Sequence, residues 1–416
     1  MPNRLNRTFG SLAIYNYRLF WFGQLISLSG TWMQTTAQAW LVLKLTNSPV
    51  ALGTVTMLQF LPVTLLTLFG GVLADRLPKR TVLICTQSTA AAQALLLAFL
   101  VLANQVQVWE IYALALVLGI VNAFDNPTRQ AFVVEMVGKE QLQNAIALNS
   151  SLFNAARIIG PAVAGLVIST VGIGQAFLIN GLSFIPVLGG LALMRAVELF
   201  PTPHLARGKV FKQLAEGLRY VRGTPEVLLT MIAVGVLGTF GYNFTTILPL
   251  IAKYVLHGGA GDLGLITSAM GVGSLGAALG VAGARQASLT VLLSAAALFS
   301  LLLILVGLSS WLPITVVLLL VMGVASIIFS ASANTRVQLS TPAHLRGRVM
   351  SLYFLLFAGT TPIGAGAIGL LAAQLGVQAA VVLMGLVCLI GVGIAGVLAH
   401  RRPPGSGPET RPPAEA

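Results

Sequence analysis

Twelve apolar runs, each long enough to cross a lipid bilayer, leave this chain few folds to adopt. A spanning helix needs about 20 mostly apolar residues. Runs of that length lie near 19–43, 50–74, 81–104, 108–127, 143–171, 175–194, 226–252, 262–283, 287–308, 311–333, 348–372 and 376–399. A soluble domain carries about 25% charged residues. Here 8% are charged and 56% hydrophobic, so the solvent must be lipid. Strand barrels are excluded, because period-2 alternation is missing and the runs are too long. The expected architecture is an all-α membrane protein of twelve transmembrane helices. Arg4 and Arg7 precede a run too long for the apolar core of a cleavable signal.

The basic residues orient these spans. With both ends inside, 21 of the 24 Lys and Arg fall in inner connections, Lys44 and Lys253 fall outside, and Arg157 alone lies within a span. That asymmetry matches the excess of positive charge on cytoplasmic loops. The net charge of +13 therefore needs no nucleic-acid partner; topology and an anionic inner leaflet account for it. Cys85 and Cys388 sit in apolar runs and form no disulfide or metal spacing. The four histidines lie at span ends or in connections, so neither a metal nor a cofactor is expected.

The chain also repeats itself. Asp125, Pro127 and Arg129 end the fourth run, and the fifth carries Arg157 and Gly160-Pro161. A fainter copy has Asn334-Thr335-Arg336 at the end of the tenth run, Arg346 and Arg348 in the connection, and Pro362, Gly364 and Gly366 in the eleventh. The organisation expected is a first six-helix bundle over 1–194, a cytoplasmic linker over 195–225, a second bundle over 226–400 and a disordered tail over 401–416. In the linker, Val210, Phe211, Leu214, Leu218 and Val221 share one helical face. That helix lies either on the inner membrane surface or on the protein's own inner face. Two related halves around a central cavity is a common plan for transporters.

Polar residues inside the spans mark where function would sit. Gln24, Ser27, Thr31, Gln34 and Gln38 step by 3 and 4, so they share one face of the first span. Thr239, Tyr242, Asn243 and Thr246 are their counterparts in the seventh. These faces either line a cavity or bond to neighbouring helices. Ser150, Asn154, Arg157 and Pro161 share a face of the fifth span. Arg157 is about fifteen residues into that span, roughly 22 Å along it. A charge at that depth is expensive and marks a functional site. It either meets substrate or an anion in the cavity, or ties to backbone carbonyls of a neighbouring helix. Pro161 kinks its helix, and the glycines beside it allow close contact.

Gly70–Arg80, reading GGVLADRLPKR, resembles the signature loop of the major facilitator superfamily. Pro78 stands for its usual glycine and Lys79 for its commoner arginine. The resemblance implies a charge relay of Asp75, Lys79 and Asp125, with Arg76 and Arg80 beside it, that latches one half to the other. Asp125 and Arg129, four apart, are placed to pair. The segment ARIIGPAVAG resembles the superfamily's antiporter signature at Arg157, Gly160, Pro161 and Gly165, with Ala156 and Ala164 replacing two glycines. The contexts NYRLFWFGQLISLSGTWMQ and DNPTRQAF resemble a bacterial branch that includes the enterobactin exporter and drug-efflux proteins.

The resemblance implies the major facilitator fold, with two pseudo-symmetric bundles. It further implies a monomeric secondary transporter in the bacterial inner membrane, exporting small amphipathic drug or siderophore molecules with proton coupling. An importer or a non-transporting sensor of the same fold is the alternative. The substrate cavity is expected to include Gln24, Thr31, Gln34, Gln38, Asn154, Arg157, Tyr242 and Asn243. No nucleotide-binding loop is present. Nor are the acid clusters or nucleophile pairs of polytopic transferases and proteases, so an enzyme is not expected.

Overall fold

The computed structural model describes residues 9–200, 210–281 and 288–400, together with all but a few of their side chains. The expected tail over 401–416 lies outside the described residues. The spans are α1 (Tyr15–Thr46), α2 (Pro49–Arg76), α3 (Lys79–Leu102), α4 (Val108–Val137), α5 (Leu142–Thr170) and α6 (Ile173–Leu193). They continue as α7 (Pro225–Val255), α8 (Ala260–Val281), α9 (Leu289–Leu308), α10 (Leu312–Leu339), α11 (His344–Leu375) and α12 (Val377–His400). Eleven are long and apolar enough to cross a membrane. The exception, α1, has 32 residues but is too polar to qualify, because it carries the Gln and Thr stripe. No strand occurs among the described residues.

The packing of the halves repeats with a shift of six helices. In the first half α2 packs on α4, α3 on α6, and α1 on α5 and α6. In the second, α8 packs on α10, α9 on α12, and α7 on α11 and α12. The halves join chiefly at two crossings, α5 on α8 and α2 on α11. Both pass through glycine, where the absence of a side chain lets backbones touch. A Cβ on Gly53 would lie 2.5 Å from Ala365 O, and one on Gly264 would lie 2.9 Å from Gly165 Cα. Close by, Lys253 on α7 donates to Leu43 O on α1. This end of the molecule is shut, and it lies opposite the end where the basic side chains gather.

Four elements depart from the sequence reading. The fourth run was expected to end at Pro127, yet α4 continues to Val137. Proline removes one backbone bond, but Thr128, Phe132 and Met136, four apart, are buried and keep the helix packed. Asp125 and Arg129 are therefore inside a helix, not at its end. Likewise α10 continues through Asn334-Thr335-Arg336 to Leu339. The seventh span is not one regular helix: π-helical stretches occupy Leu237–Gly241 and Ile251–Val255. The eleventh is broken between Phe357 and Thr361. Backbone groups freed inside a membrane must find other partners. Asn243 Nδ2 donates to Thr239 O at 2.6 Å, and Thr64 on α2 donates to Gly359 O at 3.0 Å.

The linker helix spans Val210–Gly223 and docks on the protein itself. Tyr220 donates to Ser340 O at 2.5 Å, Glu216 pairs with Arg348, and Val221 is buried. Leu218, assigned to the same apolar face as Val221, is 40% exposed. Val210, Phe211 and Leu214 have side chains outside the described set.

Candidate functional site

A cavity of about 860 Å³ lies toward the basic end. The first-span stripe divides over it. Gln24, Ser27 and Thr31 line the cavity. Gln34, one turn further, does not: it donates to Gln93 Oε1 at 2.9 Å and accepts from Asn180 Nδ2 at 2.6 Å, tying α1 to α3 and α6. Gln38 is buried and lines neither this cavity nor the smaller one described below. The helix face was legible as polar, but at Gln34 it is spent on interhelical bonds. From the other side Asn154 on α5 lines the large cavity.

Asp125 is the acid of the cavity wall, 1% exposed. Its Oδ1 accepts from Thr86 Oγ1 at 2.8 Å and from Gln87 Nε2 at 2.7 Å, both on α3. Arg129, one turn on, pairs with its Oδ2 and also lines the cavity. A buried carboxylate is stable when its oxygens are hydrogen-bonded and its charge is matched, and both conditions hold here. Two amide atoms nearby, Gln24 Nε2 and Gln87 Oε1, have no hydrogen-bond partner among the described residues.

The expected relay is arranged differently from its sequence order. Lys79 Nζ sits 2.6 Å from Glu135 Oε1, on the stretch of α4 beyond Pro127. A fourth run ending at Pro127 leaves Glu135 beyond the helix, and its continuation to Val137 brings Glu135 to Lys79. Arg80 donates to Leu191 O and Ala192 O at 2.7 and 2.8 Å, at the C-terminus of α6. A cation there complements the helix dipole. Arg76 is exposed, and the Asp75 side chain lies outside the described set. The contacts described for Lys79, Arg80, Asp125 and Arg129 all lie inside the first half.

The antiporter-like helix makes close contacts on both sides. A Cβ on Gly160 would lie 2.4 Å from Trp32 Cβ on α1, and one on Gly165 would lie 3.1 Å from Gly264 Cα on α8. On the same helix, Arg157 and Pro161 line a second cavity of about 200 Å³. Trp32, Phe60, Tyr242, Phe244 and Phe357 form much of its wall. Tyr242 lines it and stacks on Phe299 with centroids 5.1 Å apart. Asn243 does not; it is buried and serves the broken backbone of α7. Trp32, Phe60, Phe244 and Phe357 were not singled out from the sequence, since these rings come from α1, α2, α7 and α11.

Two half-bundles, two glycine crossings and a central cavity are the plan of one transporter class. A family profile described as a transmembrane secretion effector, a branch of the major facilitator superfamily, matches residues 6–406. The chain belongs to this family. This facilitator is 26% identical to the multidrug efflux pump Tap of Mycolicibacterium fortuitum, over 92% of this chain and 95% of that one. It is 26% identical to the enterobactin exporter EntS of Shigella boydii, over 74% of this chain and 73% of that one. A solved bacterial homologue of the human lysosomal transporter Spinster shares its fold, with a TM-score of 0.72 at 12% identity, covering 93% of this chain and 97% of that one. The superfamily and branch inferred from the motifs therefore hold. This facilitator is a multi-pass membrane transporter and not an enzyme.

Proposed function

We infer that this facilitator exports small amphipathic organic molecules across the bacterial inner membrane, as a monomeric, proton-coupled secondary transporter working by alternating access. One observation carries the reading: the cavity of about 860 Å³ lies toward the basic end while glycine crossings shut the other. The positive-inside rule makes the basic end cytoplasmic, and with it both chain termini. The cavity then faces the compartment from which an exporter loads. Its wall combines Gln24, Thr31 and Asn154 with Phe20, Phe153 and Phe184, which suits a molecule with polar and apolar parts. Mostly apolar walls with a few placed polar groups are the usual make-up of ligand pockets. The names of the relatives, a multidrug efflux pump and a siderophore exporter, agree with this cargo and direction.

Asp125 is the acid proposed to carry the coupled proton. It is the acid among the described residues that lines the cavity, and its bonds to Thr86 and Gln87 link cavity and helix packing. Protonation would release Arg129 and loosen α3 from α4. Asp75, Lys79 and Glu135 form the proposed latch that closes the cytoplasmic end when the halves rock together, with the 5–8 and 2–11 crossings opening in turn.

Everted membrane vesicles carrying the protein test this. The expected outcome is accumulation of a lipophilic dye on energisation, dissipation of the pH gradient as dye enters, and loss of both in Asp125→Asn. Dye taken up by intact cells instead would establish the importer. Movement in neither direction across a panel of drugs and siderophores would leave a sensor and refute the proposal.

A further inference from the structure

Arg157 differs from every other described basic side chain that is withdrawn from the surface. Lys79, Arg129 and Arg348 pair with Glu135, Asp125 and Glu216. Arg80 and Lys253 are held by backbone carbonyls, and Arg336 has an interaction of its own. Arg157 has no hydrogen bond or ion pair among the described residues, although it sits about halfway along α5. No acidic residue lines its cavity among the described residues. The Tyr242 hydroxyl across from it is already committed, donating to Ser326 O at 2.7 Å.

An unpaired guanidinium in an apolar, membrane-depth site is unfavourable unless something that enters completes it. The small cavity adjoins the large one: Ala358 lines both, and Asn154, one turn before Arg157, lines the large one. The guanidinium is a planar fork of donors that matches carboxylate and similar oxyanions bidentately. Around it stand Trp32, Phe60, Tyr242, Phe244 and Phe357, flat surfaces that favour an aromatic or extended apolar body.

We propose that this pocket recognises an anionic group on the cargo, a carboxylate, sulfonate or phenolate, with Arg157 holding the anion and the aromatic wall holding the ring system attached to it. The inference rests on the reading of the chain as a transporter of amphipathic molecules, and narrows that cargo to molecules acidic at one end. Zwitterions with an accessible acid fit the same pocket; purely cationic cargo does not.

Two dyes sharing one ring system test the idea, anilinonaphthalene sulfonate and its uncharged parent phenylnaphthylamine. Full-length protein in lipid nanodiscs is titrated with each by fluorescence, against empty nanodiscs. In the wild type the sulfonate binds saturably. A charge-assisted bond lost in Arg157→Gln lowers the sulfonate-to-neutral affinity ratio by about 10- to 100-fold. Arg157→Lys keeps the charge without the fork and falls between. A ratio that survives Arg157→Gln, or a sulfonate that binds no better than to empty nanodiscs, overturns the proposal; thermal unfolding of each variant separates misfolding from lost recognition. Efflux of both dyes from cells is measured in parallel. If either is exported while the sulfonate binding result fails, only the anion pocket falls; if neither dye is exported, the transporter reading falls with it.

Discussion

A side chain placed at Gly53 should hold the shut end of this transporter open. A Cβ there would lie 2.5 Å from Ala365 O and 3.2 Å from Gly369 Cα on α11. Ordinary contacts begin near 3.5 Å, so α2 and α11 must part by about 1 Å for Cβ alone and further for a leucine. Overpacking of this kind costs about 1–3 kcal/mol. That cost falls on the state in which the two helices touch, and is absent once the halves have rocked apart at this end. Gly53→Leu therefore shifts the balance toward the opposite state by about 5- to 150-fold. Gly276→Leu is the control: it lies on α8 with nothing within 4 Å of an added Cβ. Spin labels at Gln105 and Ser310, in a background lacking Cys85 and Cys388, report the separation of the halves at this end. The expected result is a longer distance population in Gly53→Leu and an unchanged one in Gly276→Leu. An unchanged distribution in a folded Gly53→Leu protein, or the same shift in both variants, would refute the argument that the glycine crossings set the state.

Two further outcomes follow from the packing. Gln34→Ala leaves Gln93 and Asn180 without the bonds they make to α1, at a cost of about 1–3 kcal/mol. Its thermal midpoint in detergent should fall, with efflux retained by the folded fraction; an unshifted midpoint would show that the network contributes nothing. Lys79→Glu and Glu135→Lys should each lower efflux, and the double exchange should recover part of it. No recovery in the double variant would mean that the 2.6 Å pair is incidental to transport.

The polar stripe of α1 shows how far the sequence could be read into the site. Spacing of 3 and 4 put Gln24, Thr31, Gln34 and Gln38 on one face, correctly. Which of them meets the cavity depends on where α3 and α6 cross that face. Asn180 and Gln93 take Gln34, while Gln24 and Thr31 lie past the crossing. The fourth span failed for a different reason. Pro127 reads as a terminator, but burial of Phe132 and Met136 outweighs one lost backbone bond and brings Glu135 onto the helix.

The sequence by itself determined the solvent, the all-helical class, the repeated halves and the branch of the superfamily, because hydropathy, helical period and local motifs are all short-range properties of a chain. Tertiary structure alone decided that Lys79 meets Glu135, that Asn243 mends a broken helix, and that Arg157 faces an aromatic pocket without a partner. Those outcomes depend on helix crossings between residues tens to hundreds of positions apart, where a shift of one turn exchanges one neighbour for another.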